Sequence, residues 1–210
     1  MRIGELSRRT GVSVPTIKFY VREGLLPAGE LTSPNQASYG EPHVQRLRLI
    51  RALLDVGGLS VAAIRDVIVA VDDPEKSVHK VLGVAANRIV PRYGREQDAG
   101  IEEARKKVAD LVAARGWHAY PDNLAAEALA EALAALEDVG HGGFAEVLDV
   151  YADAAERVAR ADLEYVAHHV AREELVESVV VGTVLGDAIF AAMRRLAHVD
   201  ASNRAFGGAT

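Results

Sequence analysis

The sequence predicts an all-helical protein in two parts. Three observations carry that reading. Apolar residues recur three and four positions apart in nearly every periodic segment, and proline and glycine fall where such segments begin and end. No stretch alternates as a convincing strand would. Charge then divides the chain: residues 1–54 hold eight Lys/Arg against four Asp/Glu, which leaves −10 for the remainder of a chain whose total is −6. A mildly basic head able to approach phosphate precedes an acidic body that is not.

The elements follow in order. Ile3 to Arg9 makes a short helix closed by Gly11, a tight turn spans Thr10 to Ser13, and Ser13 caps a second helix that runs to Glu23 and stops at Gly24. After the stretch from Pro27 to Gly40, Pro42 suits a first helical turn, and Val44, Leu47, Ile50 and Leu54 form its apolar stripe. Gly57 and Gly58 end that helix. Ser60 caps the next, with Val61, Ile64, Val67, Ile68 and Val71 inward, until Asp72, Asp73 and Pro74 mark a boundary. Val78, Val81, Leu82, Ala85 and Ile89 define a helix ended by Pro91 and Gly94. Ile101, Ala104, Val108 and Leu111 keep coiled-coil-like spacing in the following one. Trp117 to Pro121 is a loop, and Asp122 caps a helix carrying Ala125, Leu129, Ala132 and Leu136. Beyond the Gly140 to Gly143 break, Phe144, Val147, Leu148, Tyr151, Ala155, Val158 and Tyr165 line a long helix. The last helix, from about Glu174 to His198, is apolar nearly all round between Val179 and Met193, so it needs burial on several sides. Gly182 and Gly186, four residues apart, point to a close backbone approach there.

Composition removes several classes of function. The chain has 210 residues, 50% of them hydrophobic, enough for one or two globular cores. It has no cysteine, which excludes disulfides, thiolate metal sites, iron–sulfur clusters and cysteine nucleophiles, and makes the reducing cytoplasm the expected compartment. No signal-peptide progression is expected at the N-terminus. The longest nearly uncharged run, Val179 to Met193, contains Asp187 and is shorter than the roughly 18 residues a bilayer requires, so no membrane partner is expected.

The first two helices make a helix-turn-helix unit, and a wheel at 100° per residue sorts the second. Val14, Ile17 and Val21 cluster on one side with Tyr20 at the edge, while Pro15, Thr16, Lys18, Phe19 and Arg22 point away. Two cations, a hydroxyl and an aromatic on one outward face suit a major groove, where cations meet phosphates or guanine edges and apolar groups meet thymine methyls. An ordinary helical hairpin would show much of the same pattern, and Phe19 with Arg22 would also serve as anchors for a protein partner.

The runs Ile3-Gly4-Glu5-Leu6-Ser7, Thr10-Gly11-Val12-Ser13, Thr16-Ile17-Lys18-Phe19-Tyr20 and Glu23-Gly24-Leu25-Leu26 closely resemble the N-terminal domain of the MerR family of transcriptional regulators. The resemblance continues through Tyr39, the Val44 to Ile50 helix with Arg46 and Arg48, and Val56-Gly57-Gly58-Leu59-Ser60, covering about the first 71 residues. It implies a winged helix-turn-helix head, a dimerisation helix and a variable C-terminal domain that senses an effector. It also implies a dimer on an inverted repeat that activates by deforming promoter DNA. By position it casts Thr16 and Lys18 as recognition-helix contacts, Tyr20 as an aromatic whose hydroxyl reaches the DNA backbone, and Tyr39 as the wing tyrosine. The wing departs from the family run: Asn35-Gln36-Ala37-Ser38-Tyr39 has Ala37 in place of an arginine, which removes a phosphate contact unless Asn35, Gln36 or Ser38 supplies one. Gly57-Gly58-Leu59-Ser60 falls where the family has a second wing. Free amides at a helix start make Gly58 and Ser60 candidates for phosphate. The full set of candidate DNA-binding residues is Ser13, Pro15, Thr16, Lys18, Phe19, Tyr20, Arg22, Asn35, Gln36, Tyr39, Gly58 and Ser60.

The body offers fewer signals. The family's metal sensors use cysteine ligands that this chain lacks, and His168, His169, Glu173 and Glu174 form a weak alternative that a solvated helix end explains equally well. Eight of the eleven aromatic residues lie beyond the head, and Trp117, Tyr120, Tyr151 and Tyr165 are candidate walls of a pocket for a flat organic effector. Catalytic motifs are thin. Gly140-His141-Gly142-Gly143-Phe144-Ala145 has the loose dinucleotide spacing without a βαβ unit, and Gly11 to Pro15 misses a nucleophile elbow at its last residue. No enzyme, cofactor or metal is expected.

The expected fold is therefore all-α: a winged helix-turn-helix DNA-binding domain over 1–73, a linker with candidate dimerisation helices over 74–115, and a helical effector-binding or dimerisation domain over 116–210. The expected function is a homodimeric, sequence-specific regulator that binds double-stranded DNA at a promoter inverted repeat, meets RNA polymerase there and responds to a small organic ligand. The alternatives are a ligand-independent repressor or architectural protein, and an acidic helical adaptor.

Overall fold

A computed structural model describes residues 1–33, 36–91, 93–94, 98–118, 123–169 and 175–207, with the side chains at 168, 169, 175 and 176 left out. Among the described residues the regular elements are helices and one hairpin. The order is α1 (Ile3–Thr10), α2 (Val14–Arg22), β1 (Glu30–Ser33), β2 (Gln36–Ser38), α3 (Glu41–Asp55), α4 (Val61–Val71), α5 (Val78–Ile89), α6 (Ala99–Ala114), α7 (Leu124–Asp138), a 3-10 turn (Gly142–Val147), α8 (Leu148–His169) and α9 (Leu175–Phe206). The chain groups into two compact units, one of Met1–Arg88 with Val166–Thr210, the other of Ile89–Tyr165. This grouping differs from the three consecutive segments above, because α9 packs on α3 and α4 at the far end of the sequence.

The first unit is built on Leu6, Val12, Ile17, Leu25, Leu26, Val44, Leu47, Ile50, Leu53, Ile64, Val67 and Ile68, all nearly or fully excluded from solvent. The stripe of α3 is shifted from the one expected. Leu49 and Leu53 are buried with Val44, Leu47 and Ile50, whereas Leu54 is only half-buried, since α1, α4 and α9 cover α3 from more than one side. Gly57 explains how α9 can approach. A Cβ there would run into Val184 Cγ1 and come within 2.8 Å of the Leu53 carbonyl oxygen. Of Gly182 and Gly186, the pair from which a close approach is expected, a Cβ on Gly182 would meet nothing within 4 Å. The glycine that admits a neighbour lies on the turn, opposite a valine of the helix.

The second unit centres on a hairpin of α6 and α7, whose core joins Ile101, Ala104 and Val108 to Ala130, Leu133 and Ala134. The inward face of α7 is rotated from the expected one, with Ala125 and Ala132 exposed. An alanine-rich helix gives little contrast between its faces, so periodicity alone placed the stripe poorly. Asn123 rather than Asp122 caps α7, its side chain accepting from the amides of Ala125 (2.9 Å) and Ala126 (3.1 Å). Arg105 forks onto Glu127 and also pairs with Glu102, and that guanidinium holds the Glu127 carboxyl below its ordinary range. The segment Gly142–Val147 is 3-10 rather than the start of α8, and α9 runs on past His198 to Phe206 because no glycine or proline interrupts it before Gly207. Among the described residues no helix is long and apolar enough to cross a membrane, and no group of three or more His, Asp or Glu is placed to hold a metal.

Candidate nucleic-acid interface

The outward face of α2 is held at both ends by chemistry local to the sequence. Ser13 adopts the extended N-cap conformation, and its Oγ accepts from the Thr16 amide at 3.2 Å and lies 2.7 Å from Thr16 Oγ1. Pro15 occupies the first turn, where no backbone donor is missed. At the other end Gly24 takes φ +74°, and the amides of Gly24 and Leu25 donate to the carbonyls of Val21 (3.1 Å) and Tyr20 (2.9 Å), the paired bonds of a Schellman stop. The turn before α2 depends on Gly11, at φ +73°, with Val12 buried beneath it. A rigid nine-residue helix is thereby presented with one face free.

That face carries Ser13, Pro15, Lys18 and Arg22, all exposed, with Thr16 and Phe19 half-buried beside them. The Arg22 guanidinium lies over the Phe19 ring, 5.4 Å from its centroid, and 3.8 Å from Glu23 Oε1. Glu23 is engaged by Arg65 of α4, which donates from Nε to the Glu23 carbonyl at 2.9 Å and pairs through its other nitrogen with the carboxylate. Arg65 therefore locks the C-terminal end of α2 to α4 and draws off an acid that would otherwise offset Arg22. Sequence reasoning missed this residue. Its one signal was a single arginine in the otherwise apolar run Val61-Ala62-Ala63-Ile64.

Tyr20 sits in the core at 4% exposure, with its ring 5.8 Å from that of Phe19, and burial pushes its phenol above the ordinary tyrosine range. Little of it is left to meet DNA. Tyr39 is likewise internal: its amide donates to the Met1 carbonyl at 2.9 Å, its carbonyl accepts from the Met1 amine at 2.7 Å, and its ring meets His43 edge-on at 5.1 Å. It ties the base of the hairpin to the N-terminus.

The expectation that no strand occurs is corrected here. β1 and β2 pair antiparallel, Glu30 with Ser38, Leu31 with Ala37 and Ser33 with Gln36, with an irregularity between Leu31 and Ser33. The strands are short and largely exposed, so no apolar alternation announced them. Gly29 permits the return of the chain, since a Cβ there would lie 2.7 Å from the Ser38 carbonyl and 3.0 Å from the Tyr39 ring. Gln36 is exposed at the start of β2, whereas Asn35 lies outside the described residues. Gly58, at φ +67°, is exposed, and Ser60 Oγ is committed to capping α4 through the Ala63 amide at 3.2 Å.

Of the candidate effector residues, the three that are described, Trp117, Tyr151 and Tyr165, do not share one face. Trp117 donates from Nε1 to Glu156 at 2.9 Å, on the face of α8 where Asp149 and Asp153 hold Arg115. Tyr151 lies on another face, its ring 6.1 Å from that of Phe144, and Tyr165 is exposed about four turns further along. Tyr120, Glu173, Glu174 and the side chains of His168 and His169 lie outside the described residues.

A tightly turned helix pair, a hairpin behind it and an exposed cationic second helix define a winged helix-turn-helix head. Residues 1–70 match the model of the MerR HTH family regulatory protein. The HTH-type transcriptional regulator HmrR of Sinorhizobium medicae is 34% identical over 89 residues, 42% of this chain and 60% of that one. A ZntR homolog of Haemophilus influenzae is 44% identical over 50 residues, 24% of this chain and 37% of that one. The crystal structure of the “putative transcriptional regulator SCO5550” of Streptomyces coelicolor A3(2) superposes with a TM-score of 0.76 at 35% identity, over the whole of both chains. Residues 1–70 therefore carry the HTH domain of the MerR family, and over its whole length the chain is similar to a solved “putative transcriptional regulator”. It spans only about a quarter to three fifths of several of the curated regulators it matches.

Proposed function

We propose that this chain is a transcription regulator that binds double-stranded DNA as a homodimer, with the outward face of α2 in the major groove and the hairpin beside it on the backbone. The observation that carries the reading is that face: Ser13, Pro15, Lys18 and Arg22 are exposed together on a helix fixed at both ends. DNA contact is assigned to residues 1–73, and an inverted repeat at a promoter, where RNA polymerase also binds, is the expected site.

Several matched relatives carry names that refer to heavy metals or mercury. A chain without cysteine has no thiolate with which to hold such an ion, and the body beyond the head is the region free to differ. A small organic effector is the reading we favour for residues 116–210, supported by the absence of cysteine rather than by any shared aromatic wall.

Binding to a duplex should fall steeply with salt, by a factor on the order of ten or more for a few phosphate contacts between 50 and 200 mM. An affinity for DNA that is absent at low salt, together with capture of a protein partner through Phe19 and Arg22 that is indifferent to salt, would favour the adaptor reading instead.

A further inference from the structure

Glu23, the residue that closes α2, lies between two arginines. As the C-cap it places a carboxylate beside helix carbonyls that have no partner within the helix. The helix dipole disfavours a negative group at that end and favours a cation. Arg65 of α4 supplies one, and its planar fork serves two acceptors of the same residue. Its Nε donates to the Glu23 carbonyl at 2.9 Å, and a terminal nitrogen pairs with Oε2 of the carboxylate. The other carboxylate oxygen, Oε1, is 3.8 Å from Nε of Arg22, beyond hydrogen-bond reach yet closed by a small rotation of either side chain. Arg22 is otherwise directed by the Phe19 ring, and among the described residues Glu23 is the one acid within ion-pair distance of it.

Arg65 reaches Glu23 from a fixed base. Ile64, Val67 and Ile68 of α4 are buried, and two further pairs hold the same helix, Asp66 with Arg88 of α5 and Asp72 with Arg46 of α3. The backbone that carries the fork is therefore ordered whether or not Glu23 is bound. We propose that Arg65 is a positioning residue for DNA binding, which keeps Glu23 off Arg22 and so leaves the Arg22 charge free for phosphate. The inference rests on the reading of the α2 face as the DNA contact. Without Arg65, the cation left beside the carboxylate is Arg22, and their pairing neutralises one of the two cations, Lys18 and Arg22, that the outward face carries. Such a loss is electrostatic and is read in the salt dependence of binding, whereas a change that only loosened α2 would leave that dependence as it is.

The test is a cycle of variants in the full chain, with affinity followed from low to high salt on a duplex taken from the genomic fragments the wild type retains. The Arg65 side chain is 41% exposed, so its truncation opens no cavity, and circular dichroism should show unchanged helicity. Arg65→Ala should lower the salt slope by about 1 per subunit, as Arg22→Ala should. Arg65→Lys, which keeps the charge, should retain the slope. Adding Glu23→Gln to Arg65→Ala removes the competing charge and should bring the slope back. In an Arg22→Ala background, Arg65→Ala should change the slope no further, since both act on one contact. A slope that Arg65→Ala leaves unaltered would overturn the proposal. So would a fall that Glu23→Gln does not restore and that recurs in the Arg22→Ala background, because Arg65 would then meet phosphate itself. A wild type that retains no duplex would overturn the α2 reading and this inference with it.

Discussion

Tyr20 shows how a residue with two readings is decided by packing. The helical wheel put it at the edge of the apolar face and the family resemblance cast it as a DNA contact, yet the structure buries its ring. A wheel gives direction but not what lies opposite, and α2 is covered more widely than its three aliphatic residues suggested. The phenol, raised above its unfolded value of about 10 chiefly by loss of solvent, carries a consequence in pH. Its neutral form is favoured in the folded state, so that contribution to stability is complete below the unfolded pKa and is lost as pH rises through the folded one. Denaturant midpoints measured from pH 8 upward should fall in the alkaline range for the wild type and fall less for Tyr20→Phe. A 295 nm titration should show one late tyrosine missing from the variant. Identical alkaline profiles would remove Tyr20 from the core. Ser13 and Gly24, by contrast, were legible because a cap and a left-handed stop act within a few residues of themselves.

Between elements, the contact that organises the first unit joins residues far apart in sequence. Gly57 reads as a simple turn glycine, or as a close approach to phosphate, until α9 is placed against it and Val184 fills the space a side chain would take. No local pattern could reveal a neighbour at that separation. Gly57→Ala should cost on the order of 1–3 kcal/mol, as overpacking does. Val184→Ala in the same chain should recover only part of it, because the Leu53 carbonyl also crowds the new methyl. Urea unfolding of the two single variants and the double variant measures this, and additive losses would show that the two residues do not touch. The hairpin and the last two turns of α9 were illegible for different reasons. The strands bury too little to alternate, and the helix continues through residues 199–206 because no glycine or proline stops it before Gly207.

At the scale of the whole molecule, the helical class, the helix-turn-helix head and the cationic face of α2 could all be read from spacing, caps and charge. These are properties of short segments. The grouping of α9 with the head, the α2–α4 lock through Arg65 and the scattering of Trp117, Tyr151 and Tyr165 could not be read, since each is set by long-range packing. The α2 face is proposed to read DNA, and footprinting of the genomic fragments the protein retains, with Lys18→Ala run in parallel, puts that reading to the test. A protected inverted repeat between promoter elements is expected, and for Lys18→Ala a loss of about 1–3 kcal/mol in affinity if Lys18 meets a base, or a salt slope lower by about 1 per subunit if it meets phosphate. Unaltered protection, affinity and salt slope in a folded Lys18→Ala protein would contradict it.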